Sequence, residues 1–261
     1  MRLALGVLAA LLLWPQAGRA WGPEGHRQAA HITAQRLCPA ATREAESILG
    51  GQTLAEAALW PDAIRGEPRW AHTSNWHYLN LAADEAFDAI AEGAPGRGRL
   101  LAAIREMLAL MQDRQAPRAR RAEALAFLLH LVADLHQPLH IGKPGDRGGN
   151  EVTVSFQGRE TNLHRLWDGG LLHSSALRPD DYRRSLAPLV ELGAGEWESG
   201  TLEDWADESR RLRPWVYDFD ARRRVPVISK RYAETGRQLS ALRLAQAGVR
   251  GAWLLNQSWC P

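Results

Sequence analysis

Cysteine is almost absent from this chain: only Cys38 and Cys260 occur, near its two ends, and neither is near enough to a histidine to suggest a thiolate metal site. An excess of charge of either sign is also missing. The formal charge of +2 includes Arg2 and Arg19, so from Trp21 onward the chain is neutral with its histidines uncharged. That excludes a protein that holds nucleic acid mainly by a basic surface, and any anionic substrate must be attracted by something more local, such as bound cations. Beyond residue 20 no apolar run approaches a membrane span, and no low-complexity linker divides the chain. A single domain over residues 21–261 is expected.

The one greasy run that does occur is N-terminal. Arg2, the apolar Leu3 to Trp14 and the small-residue exit Gly18-Arg19-Ala20 have the form of a secretory signal peptide. Residues 1–20 are therefore expected to be removed, leaving Trp21 as the new terminus of a soluble secreted or periplasmic protein. In an exported chain the two cysteines favour a disulfide over two free thiols. It would close nearly the whole chain and contribute at most roughly 5 kcal/mol by the loop-entropy model.

What the chain has in abundance is helix signal. Pro23–Leu37 reads as a helix opened by proline and acid, and Pro39–Ala58 as a second, broken near Gly50-Gly51. Leu101, Ile104, Leu108 and Met111 mark an amphipathic helix, and the arginines 114, 118, 120 and 121 beyond it read as a solvated helix start. Glu123 to His136 is apolar on most faces, a buried helix that Pro138 ends. A hairpin is expected around Glu151–Phe156 and Gln157-Gly158, and the glycines 169 and 170 are expected to end a helix carrying His164 and Asp168. Asp204–Arg213 reads as a charged helix, Ala221–Pro226 as a solvated basic turn, and Ser229–Asn256 as a helix burying Leu239, Leu242, Val249 and Trp253. Most of the eleven tryptophans must be core. The fold class is mainly α, a single-domain multi-helix bundle with one short β-hairpin.

The central helix bears His130 and Asp134 four residues apart, which puts an imidazole and a carboxylate on one face, and His140 follows its break. Buried polar groups of this kind need hydrogen bonds or a metal. His26, His77 and His164, with Asp62 and Asp168, extend the pattern. Imidazole and carboxylate without thiolate form the ligand set of zinc in hydrolytic sites, and aspartate can bridge two metals. His31, His72, His136 and His173 lack such company and are read as structural or surface residues.

Trp21 with His26, Trp60-Pro61-Asp62 with Arg65, His77-Tyr78, His130 with Asp134 and His140, Gly148-Gly149-Asn150, and Asn162-Leu163-His164 with Trp167-Asp168 follow one another through the chain. In this order they resemble the zinc-dependent S-one/P-one nuclease family, whose helical fold is shared with zinc phospholipase C. The resemblance implies three zinc ions. Asp62, His77, His130 and Asp134 would hold the first, and His140, His164 and Asp168 the second. Trp21, through its α-amino group and carbonyl oxygen, would hold the third with His26 and a bridging Asp134. A hydroxide between the first and third would be the nucleophile, the second would bind the leaving 3′ oxygen, and Arg65 would neutralise phosphoryl charge. Tyr78 would stack on a base, Asn150 would contact substrate, and Asn80 stands where family members carry an aspartate that bonds the base.

The implied activity is hydrolysis of single-stranded RNA and DNA to 5′-nucleotides by a monomer, with 3′-nucleotidase activity on mononucleotides and no membrane partner after signal removal. A phospholipase C on the same fold is the alternative, opposed by Tyr78 and Asn162-Leu163-His164. A non-catalytic zinc-binding protein is the other, and it gives Arg65 no role.

Overall fold

The computed structural model describes residues 21–261, so the expected signal segment 1–20 lies outside the described residues. The helices are α1 (Pro23–Gln35), α2 (Pro39–Leu49), α3 (Leu54–Ala57), α4 (Trp60–Ala63), α5 (Leu100–Gln112) and α6 (Arg118–Leu135), then, after the hairpin strands β1 (Thr153–Phe156) and β2 (Arg159–Asn162), α7 (Leu163–Arg165). A π-type turn over Leu166–Gly170 leads to α8 (Leu171–His173), α9 (Pro179–Trp197), α10 (Leu202–Arg211), α11 (Arg213–Val216) and the long α12 (Lys230–Trp259). The expected mainly helical class with one hairpin is what forms.

Helix α6 is the axis of the bundle. From Ala124 to Leu135 every residue is buried, because α1, α2, α3, α4, α5, α10 and α12 all pack on it. Only a helix apolar nearly all round can be enclosed in this way, and its few polar side chains are then forced to find partners inside. Helix α12 approaches α1 closely through Gly248, where a Cβ would stand 2.4 Å from the Ile32 Cβ, and Thr33 Oγ1 donates to Gly248 O at 3.0 Å. The hairpin pairs Thr153 with Asn162 and Phe156 with Arg159.

Several local expectations are corrected. Helix α6 starts at Arg118 rather than Glu123, because Arg118 Nη1 donates to Ile48 O and Arg121 to Met111 O and to Glu44. Those two arginines tie α6 to α2 and α5 and are not merely solvated. The basic connection near Arg222 is exposed, but the residues just after it pair in parallel with β1, Ser155 donating to Pro226 O and Ile228 to Ser155 O. Helix α9 was not foreseen at all, since Pro188, Gly193 and Gly195 interrupt its pattern.

On α12 only Val249 of the four expected core residues is fully buried; Leu239, Leu242 and Trp253 are half-buried. The buried face carries Arg243, Gln246 and Arg250 instead. Arg243 donates to His136 O, Trp205 O and Ser209 Oγ, and Arg250 grips Glu208 at 2.6 and 2.7 Å. These bonds satisfy the buried cations, and together with Ser209 Oγ, which donates to Leu135 O at 2.6 Å, they cap the C-terminal end of α6. Trp21, Trp70, Trp76, Trp167, Trp197 and Trp205 are buried, as the abundance of tryptophan suggested.

The Cys38–Cys260 disulfide is formed, across a sequence separation of 222. Asn256 reinforces it by accepting from Cys38 N and donating to Arg36 O, each at 3.0 Å. The paired substitution Cys38→Ser/Cys260→Ser should lower the melting temperature by on the order of 10 °C, since closing so long a loop contributes several kcal/mol. A thermal melt of oxidised against variant protein checks this, and an unchanged midpoint would show that packing of α12 alone fixes the ends.

Candidate metal centre

Eight polar side chains converge at the end of α6 from separate elements. Helix α6 gives His130 and Asp134, α1 gives His26, α4 gives Asp62, and the irregular stretch after the 3₁₀ turn Pro68–Thr73 gives His77. His140 follows the break of α6. His164 lies in α7 and Asp168 in the π-type turn. The glycines 169 and 170 therefore do not end a helix; they sit inside the wider turn, and the chain continues helically into α8. The wider winding carries Asp168 to His164, with Oδ2 3.2 Å from Nε2.

Asp134 is the hub. It is 0 % exposed, and its Oδ1 lies 3.5 Å from His26 Nε2 and 3.7 Å from His140 Nδ1. Its Oδ2 lies 2.9 Å from His77 Nδ1 and 3.4 Å from His130 Nε2. His26 stacks on His130 with ring centroids 3.8 Å apart, and His130 Nε2 is 3.8 Å from Asp62 Oδ1. Three groups could each hold an ion, with ligand atoms within 4.8 Å of one another: His26, His130 and Asp134; Asp62, His77 and His130; and His140, His164 and Asp168. His130 thus borders two groups, whereas the family resemblance assigns it to one.

Hydrogen bonds from behind set which nitrogen faces inward. His130 Nδ1 donates to Ala58 O at 2.8 Å, His140 Nδ1 to His77 O at 2.5 Å and His164 Nδ1 to Gly148 O at 2.8 Å. Each leaves its Nε2 lone pair for the interior. Gln137 Nε2 likewise donates to Asp168 Oδ1 at 2.7 Å while its Oε1 accepts from Leu139 N at 2.6 Å. The sequence had no signal for Gln137 beyond its place between Asp134 and His140.

Burial lowers the pKa of His26, His77, His130 and His140, and that of His164 to about 4, with neighbouring cationic groups such as Arg65 adding to the effect. These imidazoles are neutral and able to donate lone pairs at ordinary pH. Burial raises Asp134 and Asp168 well above the usual carboxylate range, and the nearby Asp62 raises them further. Among these acids and neutral imidazoles the neighbouring cation is Arg65, at Asp62, which leaves the interior around Asp134 short of positive charge. Consistent with this, both nitrogens of His26, the Nε2 of His77 and His140, and one oxygen each of Asp62, Asp134 and Asp168 are buried with no hydrogen-bond partner among the described residues. So many buried polar atoms gathered without partners suit metal ions.

Trp21 is buried against this centre, its indole donating to Ala133 O at 3.0 Å, and the next amide, Gly22 N, donates to Asp168 O at 2.7 Å. Above the cluster opens a cleft of about 440 Å³, walled by Arg65, Tyr78, Asn80, Asn150 and Arg147 among others. Arg65 lies 3.5 Å from Asp62 Oδ1. Tyr78 is half-buried, and Gly98 permits the close approach of the two backbones, since a Cβ there would fall 2.1 Å from Tyr78 O. Asn80 Nδ2 donates to Gly96 O at 2.8 Å and Asn150 Nδ2 to Arg147 O at 2.9 Å. All thirteen residues singled out from the sequence therefore meet at one place; Arg147 and Gln137 join them there.

The family described as S1/P1 Nuclease matches residues 21–259. Endonuclease 3 of Arabidopsis thaliana is 29% identical over 273 residues, covering 91% of this chain and 88% of that protein. Endonuclease 2 of the same plant is 28% identical over 268 residues, covering 91% and 90%. Nuclease P1 of Penicillium citrinum is 29% identical over 219 residues, covering 74% and 80%. The chain belongs to the S1/P1 nuclease family.

Proposed function

We propose that the chain, exported and shortened to begin at Trp21, is a zinc-dependent phosphodiesterase that cuts single-stranded RNA and DNA to 5′-nucleotides and removes 3′ phosphate from mononucleotides. The observation that carries this is the set of buried, partnerless nitrogen and oxygen atoms around Asp134. Three zinc ions would be held by Asp62, His77, His130 and Asp134; by His140, His164 and Asp168; and by Trp21, His26 and Asp134. Bound there, zinc supplies a water of pKa near 7 and positive charge for the phosphoryl and leaving oxygens.

The chain's own residues do the rest. Neutral imidazoles fixed by Ala58 O, His77 O and Gly148 O keep the centre rigid, and Asp134 connects its parts. Arg65 stands at the cleft with a permanent charge that stabilises a phosphoryl group as its oxygens gain negative charge. Tyr78 offers a ring on the cleft wall for an unpaired base, which a base stacked in a duplex cannot use. The amide of Asn80 donates to Gly96 O, so its carbonyl oxygen is the group left to accept from a base edge. Among the described residues no helix is long and apolar enough to cross a membrane.

Zinc-loaded protein beginning at Trp21 should cleave single-stranded DNA to products with 5′ phosphates and leave phosphatidylcholine intact. The reverse pattern would make it a phospholipase C, and zinc uptake with neither activity would make it a zinc-holding protein. Arg65→Ala should keep its zinc content and lower turnover by on the order of a hundredfold, as for loss of one charge-stabilising donor. Metal analysis beside the rate decides this, because zinc loss in that variant would make Arg65 a support for Asp62 instead.

A further inference from the structure

The loop between α6 and β1 turns through four left-handed residues: Gly145 (φ 95°), Arg147 (φ 52°), Gly148 (φ 62°) and Gly149 (φ 77°). Glycine adopts this conformation freely, and a long side chain does so at a cost. Three of the four positions have the residue that suits them. The fourth carries an arginine, and that arginine lines the cleft.

Its conformation is enforced. Arg147 O accepts from both Asn150 N at 3.3 Å and Asn150 Nδ2 at 2.9 Å, and Gly148 O is tied to His164. The neighbouring acid is already committed: Asp146 Oδ1 accepts from Gly149 N at 3.1 Å, and Oδ2 takes the Tyr217 hydroxyl at 2.6 Å and faces Lys143 Nζ at 3.5 Å. The Arg147 side chain is exposed and makes no ion pair or hydrogen bond among the described residues. A rigid, strained loop thus presents an unneutralised guanidinium to the cleft beside His140 and His164. Backbone strain that persists in an over-determined loop points to a use for the side chain.

We propose that Arg147 binds a second phosphate of the substrate, the one 5′ to the nucleotide whose 3′ oxygen leaves. This rests on the phosphodiesterase reading, in which that oxygen departs on the His140 and His164 side of the cleft. Arg147 follows from there because its loop is the part of the wall bonded to His164. The guanidinium matches a phosphate with two parallel N–H donors. The result is a preference for nucleotides within a chain over a nucleoside bearing a 3′ phosphate alone.

Adenosine 3′-monophosphate and adenosine 3′,5′-bisphosphate differ only in that phosphate. Arg147→Gly removes the charge while suiting φ 52°, so the loop keeps its shape. It should raise KM for the bisphosphate about tenfold, leave its kcat unchanged, and leave KM for the 3′-monophosphate unchanged. Arg147→Lys should recover part of the difference, since it restores the charge without the two parallel donors. Equal effects on both substrates, or none on either, overturn the proposal. Should the wild type cleave neither substrate, the 3′-nucleotidase part of that reading fails while cleavage of single-stranded DNA still tests the phosphodiesterase part, and equilibrium binding of the same two nucleotides to zinc-loaded protein still decides the role of Arg147. A bisphosphate affinity unchanged by Arg147→Gly rejects it.

Discussion

Asp134→Asn should lower activity by on the order of a thousandfold or more, and by more than Asp168→Asn at matched zinc occupancy. Asp134 faces His26, His77, His130 and His140 with its two oxygens, whereas Asp168 faces His164 and has its other oxygen taken by Gln137. The amide keeps the volume and removes the one charge shared by both halves of the centre. Rates measured beside zinc content decide the matter, and equal losses at both positions would remove the special place of Asp134.

The same substitution should act on stability with opposite signs in loaded and stripped protein. Burial raises the pKa of Asp134 and Asp168 in the folded chain, so above the unfolded value of about 3.9 the folded state binds more protons than the unfolded one. Without metal, these carboxylates therefore destabilise the fold progressively as pH rises from about 4. The buried histidines have lowered pKa values, so they oppose folding as pH falls below about 6.5. No pH between these limits relieves both sets, and zinc relieves both at once. Melting at neutral pH should show chelated Asp134→Asn above chelated wild type, and zinc-loaded Asp134→Asn below zinc-loaded wild type. A chelated wild type that melts where the loaded one does would count against metal in the centre.

The helices α1, α5, α6 and α12 were legible because proline, acid and apolar spacing mark them locally. The histidines and aspartates of the centre were legible because few other arrangements place so many of both types beside apolar helices without cysteine. What was not legible depends on contacts distant in sequence. Arg243 and Arg250 are core residues only because Glu208, Ser209 and the end of α6 come to meet them, and no periodicity of α12 encodes that. The π-type turn at Leu166–Gly170 was hidden because His164 and Asp168 have the i, i+4 spacing of an ordinary helix, and its glycines read equally well as a stop. Helix α9 was hidden by a proline and two glycines, although Tyr182, Leu186, Ala194 and Trp197 bury one side of it against the core. Arg147 escaped because a lone arginine in a glycine-rich loop becomes informative only once its φ and its place on the cleft wall are known.

Protein carrying one extra residue before Trp21 should retain roughly two zinc ions and lose most of its activity at saturating zinc. Trp21 is fully buried, pinned by its indole to Ala133 O and by the following amide to Asp168 O, the main-chain oxygens of residues beside and within the centre. His26 has neither ring nitrogen bonded, which leaves it in want of a co-ligand more than any other imidazole there. In a longer chain the Trp21 nitrogen is an amide whose lone pair is delocalised into the carbonyl, and it binds metal poorly. Freed, it is an amine with a pKa near 7.7 to 8.0 that zinc can deprotonate at neutral pH. His26→Ala in the shortened protein should reproduce both the lost ion and the lost activity, which separates a missing ligand from simple crowding by the added residue. Full activity in the extended form would show that the terminal amine is not a ligand. Loss in both variants would mean that a free amine at Trp21 completes the centre.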